Sequence, residues 1–295
     1  KKTSLDKSLL IELLDYGVSI LANLEEVPLF TKCLHGSDTL GDVAKLIQGV
    51  KPFQVGKGNP PQTREDVNSQ RFVAEKKVDD TFVPLLRGSL IDRYEIKWNG
   101  DYWISYGKWL AEPRFSANFA ADEKLIIRQT GDKPVVAYDN QKFVVRDNLY
   151  VAYLHKIECR LHYLMALMNS NLLDYLFQFI NPERGEALAQ LKIKHLQKLP
   201  IRQINFTTPS DERDRLREKG VSLYDLCLRK ESTDCVLGFV THHLNAEPER
   251  SDVVHDLLAF LAEQMIEMNK AKGEEIRGFL RWLEREIEAY IDGLK

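Results

Sequence analysis

The chain has 295 residues, of which 44% are hydrophobic and 29% charged, with a formal net charge of −3. That balance fits a globular protein of one large domain or two modest ones, and it excludes wholesale disorder, collagen and a coiled-coil rod. No apolar run approaches the ~18 residues of a membrane-spanning helix, and no signal-like apolar stretch comes after Lys1-Lys2-Thr3-Ser4-Leu5-Asp6.

A first residue other than Met reads as a fragment or a processed product. Cys33, Cys159, Cys227 and Cys235 are scattered, without Cys-x-x-Cys or zinc spacing. The simplest expectation is a reducing cytoplasm and no metal. The net charge hides a division. Residues 46–206 carry 23 Lys and Arg against 18 Asp and Glu, a net +5, while the segments before and after it are acidic. A local basic field can collect phosphates even in an acidic protein, although +5 over this length is also ordinary variation.

In chain order, Leu9, Leu10, Leu13, Leu14, Val18, Leu21 and Leu24 recur at steps of three and four, which predicts a helix over 5–25. Residues 50–64 hold three Pro and two Gly and read as a loop. Seven strand-like runs come next: 81–86, 94–97, 102–105, 125–128, 135–138, 143–145 and 149–154. Turn residues separate them, and Asn99-Gly100 between two runs is a hairpin signal. A strongly apolar helix is expected over 158–180 and a short one over 186–198. Beyond 206 the pattern is helical, broken at Pro209, Gly220 and Pro248. Helices are expected over 252–270 and 274–294. In the second, Ile276, Leu280, Leu283, Ile287, Tyr290 and Leu294 make a seam suited to an internal helical hairpin or to a second subunit. The fold class expected is α+β: a mixed or antiparallel sheet with packed helices, then a helical C-terminal region.

Several motifs invite chemistry and fall short of it. Asn59-Pro60-Pro61 matches the start of the Asn-Pro-Pro-aromatic motif that holds a flipped base, but Gln62 stands where the stacking ring belongs. Gly56-Lys57-Gly58 lacks the spacing of a phosphate-wrapping loop. Asp66, Glu75 and Lys77 loosely match a nuclease metal site, a pattern that arises easily by chance in a highly charged chain. His242-His243 is read as a solvated pair. No catalytic set and no metal site is expected. Lys57, Arg64, Arg87, Arg93, Arg128 and Lys133 form a more coherent group, at or beside predicted turns and next to Gln62-Thr63, Ser89 and Gln129-Thr130. Arg and Gln suit guanine and adenine edges, and Lys and Thr suit phosphates.

Taken in order, the middle region resembles a known family. The residues that carry the likeness begin with Leu40-Gly41-Asp42-Val43-Ala44-Lys45-Leu46-Ile47-Gln48-Gly49 and Gly56-Lys57-Gly58. Pro84-Leu85-Leu86-Arg87-Gly88-Ser89 with Ile91, Arg93 and Tyr94 comes next, and then Lys124-Leu125-Ile126-Ile127-Arg128-Gln129-Thr130-Gly131. Asp147-Asn148-Leu149-Tyr150, Tyr163-Leu164-Met165-Ala166-Leu167-Met168-Asn169-Ser170 and Leu196-Gln197-Lys198-Leu199-Pro200-Ile201 complete the set. This resembles the TaqI-like C-terminal specificity domain of restriction–modification adenine-specific DNA methyltransferases and, more distantly, the recognition domains of type I specificity subunits. The tail, with Asp252-Val253-Val254-His255-Asp256-Leu257-Leu258, resembles the segment C-terminal to such a domain in fused methylase–endonucleases.

The resemblance implies a helical linker at 1–39 from a missing methyltransferase domain, a target-recognition domain at 40–206 and a helical C-terminal domain at 207–295. It implies double-stranded DNA as partner, with the parent's own methyltransferase domain binding S-adenosylmethionine and flipping the adenine. This chain then needs no cofactor, has no membrane partner and transfers no methyl group by itself. The candidate DNA face is Gln62, Thr63, Arg64, Arg87, Arg93, Arg128 and Gln129, with Lys57, Lys133, Lys192 and Lys194 as phosphate contacts. Against this, Arg87 and Arg128 could serve the scaffold by pairing with carboxylates such as Asp92 or Asp147. Two rival functions stay open: a docking module assembled through the C-terminal helices, and catalysis through Asn59 or the Asp66, Glu75 and Lys77 set.

Overall fold

The computed structural model describes residues 27–155, 159–181, 183 and 189–292. The helix expected over 5–25 and part of that expected over 186–198 lie outside the described residues. The chain opens with α1 (Val27–Leu34), β1 (Ser37–Thr39), α2 (Leu40–Val43) and β2 (Ala44–Gln48). After the loop come α3 (Arg64–Asn68), β3 (Val73–Ala74), β4 (Phe82–Leu86), β5 (Ile91–Asp92), β6 (Glu95–Ile96) and β7 (Trp103–Ser105). Next are β8 (Lys124–Arg128), β9 (Val136–Asp139), β10 (Val144–Val145), β11 (Leu149–Leu154), α4 (Leu161–Met168) and α5 (Asn171–Ile180). The chain ends with α6 (Ile193–Leu196), β12 (Pro200–Arg202), α7 (Ser210–Lys230), α8 (Asp234–Leu244) and α9 (Ser251–Asp292). The class is α+β, as expected.

The central sheet has the order β2-β11-β8-β9 and is wholly antiparallel. Successive side chains of a strand face opposite sides, and here both sides are buried. Leu125, Ile127, Tyr150 and Ala152 point into a core shared with α1, α4 and α5. Ile126, Leu149 and Val151 point into a second core shared with β4, β7 and β10. Sandwiching between two layers explains why Leu125-Ile126-Ile127 is uninterruptedly apolar rather than alternating. The second sheet, β10-β4-β7-β3, is mixed: β10 runs parallel to β4, while β4 pairs β7 and β7 pairs β3 antiparallel. β1 and β12 pair antiparallel, so residues near 40 and near 200 meet.

One buried pair ties the central sheet's edge. Lys124 and Asp139 face each other across β8 and β9, both shielded from solvent, with the ammonium 2.5 Å from the carboxylate. Lys124 Nζ also donates to the Phe119 carbonyl, and Asp139 accepts the backbone N–H groups of Gln141 and Phe143. Burial pulls the lysine pKa down, and the aspartate opposes that.

Four expectations need correction. Asn99-Gly100 makes a turn, with Gly100 at φ +81°, but not a hairpin ladder. β6 pairs instead with β5, and β7 with β4. The indoles of Trp98 and Trp103 donate to the Tyr102 and Gly100 carbonyls, and Trp98 packs edge-on against Trp103 and Phe143. The helix expected over 158–180 is two helices. Asn169 leaves the first to hold Val136, accepting its N–H and donating to its carbonyl, and Ser170 caps the second by accepting the Leu173 N–H. Gly220 breaks nothing: α7 runs through it, and a side chain there would meet Leu257 3.1 Å away on α9.

The fourth concerns the C-terminal hairpin. Residues 251–292 form one continuous helix. Its first half packs on α4 and, with α7 and α8, encloses a small core of Phe239, Val253 and Leu257. Its second half presents Ile276, Phe279, Leu280 and Trp282, each about half exposed. His255 lies fully buried at the joint between helices and sheet unit. Its Nε2 accepts the Arg160 N–H, and its ring lies between Tyr163 and Phe206. Among the described residues, no helix is long and apolar enough to cross a membrane.

Candidate nucleic-acid interface

Three turns converge at one end of the central sheet: 87–90 after β4, 128–134 between β8 and β9, and 146–148 between β10 and β11. Gly88 marks the meeting point. A methyl built on it would lie 3.3 Å from Asn148 Nδ2, 3.6 Å from Arg128 Cγ and 3.7 Å from Thr130 Oγ1. The Asn148 side-chain oxygen accepts the Gly88 N–H, and the Gln129 N–H donates to the Asn148 carbonyl. Residues 189–192 join from the far side. Ala189 accepts the Gly131 N–H, and the Leu191 N–H donates to the Gln129 carbonyl.

The side chains on this platform are mostly cationic. Arg87 is exposed, and its guanidinium sits 4.7 Å from the Tyr102 ring centroid. At an exposed site such a contact contributes about 0.5–1 kcal/mol and holds the charge in place without neutralising it. The Arg128 Nε donates to the Thr130 carbonyl, and its Nη1 stands 3.9 Å from Asp92. Lys133 is exposed and has no ion-pair partner among the described residues. Lys192 pairs with Glu183 at 2.5 Å and Lys194 is exposed. The buried Tyr150 phenol donates to the Leu191 carbonyl, next to Gln129, and burial pushes its pKa up.

The structure therefore brings together Arg87, Arg128, Gln129 and Lys133, with Lys192 on the adjoining segment. It sets the others apart. Arg93 sits in the two-residue turn between β5 and β6 and reaches inward to the buried carboxylate of Asp174 and the Pro134 carbonyl. Arg93 thus takes the scaffold role that the sequence leaves open for Arg87 and Arg128. Among the described residues, Arg87 pairs with no carboxylate, and Arg128 has only the half-exposed Asp92, 3.9 Å away.

Lys57, Thr63 and Arg64 belong to the separate 50–64 loop. Lys57 and Arg64 are exposed there. Thr63 caps α3 by a reciprocal box with Asp66. Gln62 is 3% exposed, and its carboxamide is fully occupied with backbone. It donates to the Pro52 and Trp109 carbonyls and accepts the Gln54 N–H. It braces the loop and is not presented to a base. Replacing Gln62 by leucine is expected to lower stability by about 1–3 kcal/mol, the cost of stranding buried backbone partners, read as a drop in denaturant midpoint. Asp66 is held by Thr63 and Arg71, and Lys77 pairs with Asp80. Among the described residues no group of three or more His, Cys, Asp or Glu is placed to hold a metal ion.

Three residues of the platform, Arg146, Tyr102 and Asn148, are not among the site candidates that the sequence offers. Asn148 stands there only in the Asp147-Asn148-Leu149-Tyr150 motif of the family likeness, and Tyr102 only in a strand-like run.

Residues 83–201 match the family model described as the TaqI-like C-terminal specificity domain. That stretch is a specificity domain of this type. It contains all three converging turns, the Arg87–Tyr102 contact and Arg146. No curated protein matches the chain. Two solved structures are similar over most of it. One comes from work on complex assembly and conformational transition of the type I R-M system, at 13% identity and TM-score 0.36, covering 87% of this chain and 52% of that one. The other is the HsdS subunit from Thermoanaerobacter tengcongensis, at 15% identity and TM-score 0.34, with the same coverages. The chain thus spans about half the length of each.

Proposed function

We propose that this chain reads duplex DNA as the specificity part of a restriction–modification adenine methyltransferase. The observation that carries this is the coincidence of the specificity-domain match with the cationic three-turn platform. Lys and Arg grip phosphates, and base edges read by Arg, Asn or Gln supply specificity. On this reading Lys133, Lys192, Lys194 and the 50–64 loop cations Lys57 and Arg64 track the backbone, while the residues around Gly88 approach a groove. Methyl transfer, with S-adenosylmethionine, belongs to a domain of the parent protein outside this sequence.

Selection from random duplexes at low salt, then a salt titration of the winner, tests the proposal. The expected result is one enriched motif whose affinity falls with salt, with a logarithmic slope of about −0.9 per phosphate contacted. Salt-sensitive binding without enrichment would show a backbone grip that depends on another domain for reading. Absence of binding at low salt would sink the proposal. The exposed Ile276, Phe279, Leu280 and Trp282 on α9 favour one rival, a docking module assembled through this helix. Mass that grows with concentration in sedimentation, without DNA affinity, would support that rival.

A further inference from the structure

We propose that Arg146 is a base-reading residue directed by Tyr102, and that its target is the major-groove edge of a guanine. The inference rests on the duplex-reading function above and goes further by naming the reader and its base.

Arg146 is held at both ends. Its backbone N–H donates to the Leu86 carbonyl and its carbonyl accepts the Leu149 N–H, both at 2.9 Å. Gly49 presses on the same carbonyl so closely that a Cβ there would fall 2.1 Å from it, so only glycine permits this approach. At the other end, Nη1 donates to the Tyr102 hydroxyl at 2.9 Å. The Tyr102 ring is buried and carries Arg87 on its face. Asp147 comes no nearer than 3.9 Å to Nε, and no other described residue bonds the guanidinium. The Nη2 amino group and one Nη1 hydrogen are left to a ligand.

This arrangement is more than a phosphate grip needs. A phosphate accepts a cation from many directions, so a flexible, hydrated side chain serves it well. Fixing the plane and direction of a guanidinium restricts rotamers, which helps only where the ligand is itself planar and directional. The O6 and N7 acceptors of guanine form such a pair and take Arg end-on. Arg87, exposed and stacked on the Tyr102 ring, is free to meet the adjacent backbone.

The test uses the full chain, its Arg146→Lys variant, which keeps the charge and loses the fork, and its Tyr102→Phe variant, which keeps the ring under Arg87 and loses the oxygen. Each is put through random-duplex selection, then competition against the wild-type motif carrying 7-deazaguanine, which lacks the N7 acceptor, at each guanine in turn. The expected result is loss of discrimination at one guanine position in both variants, by roughly 5- to 150-fold, with melting temperature and salt slope kept. 7-Deazaguanine at that position should weaken the wild type and leave Arg146→Lys almost indifferent. Retained guanine preference at every position in both variants would overturn the inference. So would uniform weakening across all sequences with a salt slope shallower by about one, the mark of a phosphate contact. A wild-type motif without guanine would overturn it while leaving the duplex-reading function intact. A wild-type chain that selects nothing would bring down that function itself.

Discussion

Replacing Lys124 by methionine is expected to destabilise the specificity domain by about 3–5 kcal/mol, a large share of the ~5–15 kcal/mol that holds a typical domain folded. The effect comes from what remains. Asp139 would be left without its counter-ion in a place that water does not reach, held only by the Gln141 and Phe143 N–H groups. Asp139→Ala is expected to cost a similar amount by stranding the ammonium. The double variant Lys124→Met with Asp139→Leu is expected to recover most of the loss, because the pair's desolvation cost disappears with its attraction. Denaturant unfolding of the three variants gives the coupling directly. Additive losses in the double variant would show that the two charges do not act as a pair.

That pair also shows where the sequence is legible and where it is not. Strand β8 is evident from its apolar run, and β9 from the run after Thr130-Gly131-Asp132. Nothing local marks Lys124 as buried, since its partner becomes visible only once the β8–β9 register is known. Asn169 is a similar case. Asn169-Ser170-Asn171 interrupts the apolar run from Leu161 to Ile180 only briefly, and the helix breaks there as Ser170 caps the second helix and the Asn169 carboxamide bonds Val136, 33 residues away. In the site, turn chemistry places Arg87 and Arg128 correctly at loop ends, and the fold then sets them around Gly88. Gln62 reads as an outward polar residue because loops are usually wet. Its three backbone partners turn it inward instead, which a linear pattern cannot express. Arg146 stays hidden for the opposite reason: flanked by strand-forming residues, it carries no sign of the tyrosine 44 positions earlier that aims it.

The two arginines that did prove to be neighbours are expected to separate affinity from stability. Arg87→Ala should lower the melting temperature only slightly, since its contact with the Tyr102 ring contributes no more than about 0.5–1 kcal/mol. Duplex affinity should fall by about 1–3 kcal/mol, with a salt slope shallower by about one if the contact is to phosphate. Arg128→Ala should weaken binding comparably and also cost about 0.5–1.5 kcal/mol of stability, because its Nε fixes the Thr130 carbonyl in the turn. The double variant should therefore lose on the order of a hundredfold in affinity or more while staying folded. Thermal melts and salt-titrated binding of the three variants read both quantities on the same samples. Unfolding of Arg87→Ala would assign that residue to the scaffold. Unchanged binding by the double variant would remove the three-turn platform from the DNA face, and the cations of the 50–64 loop would then be the next to test.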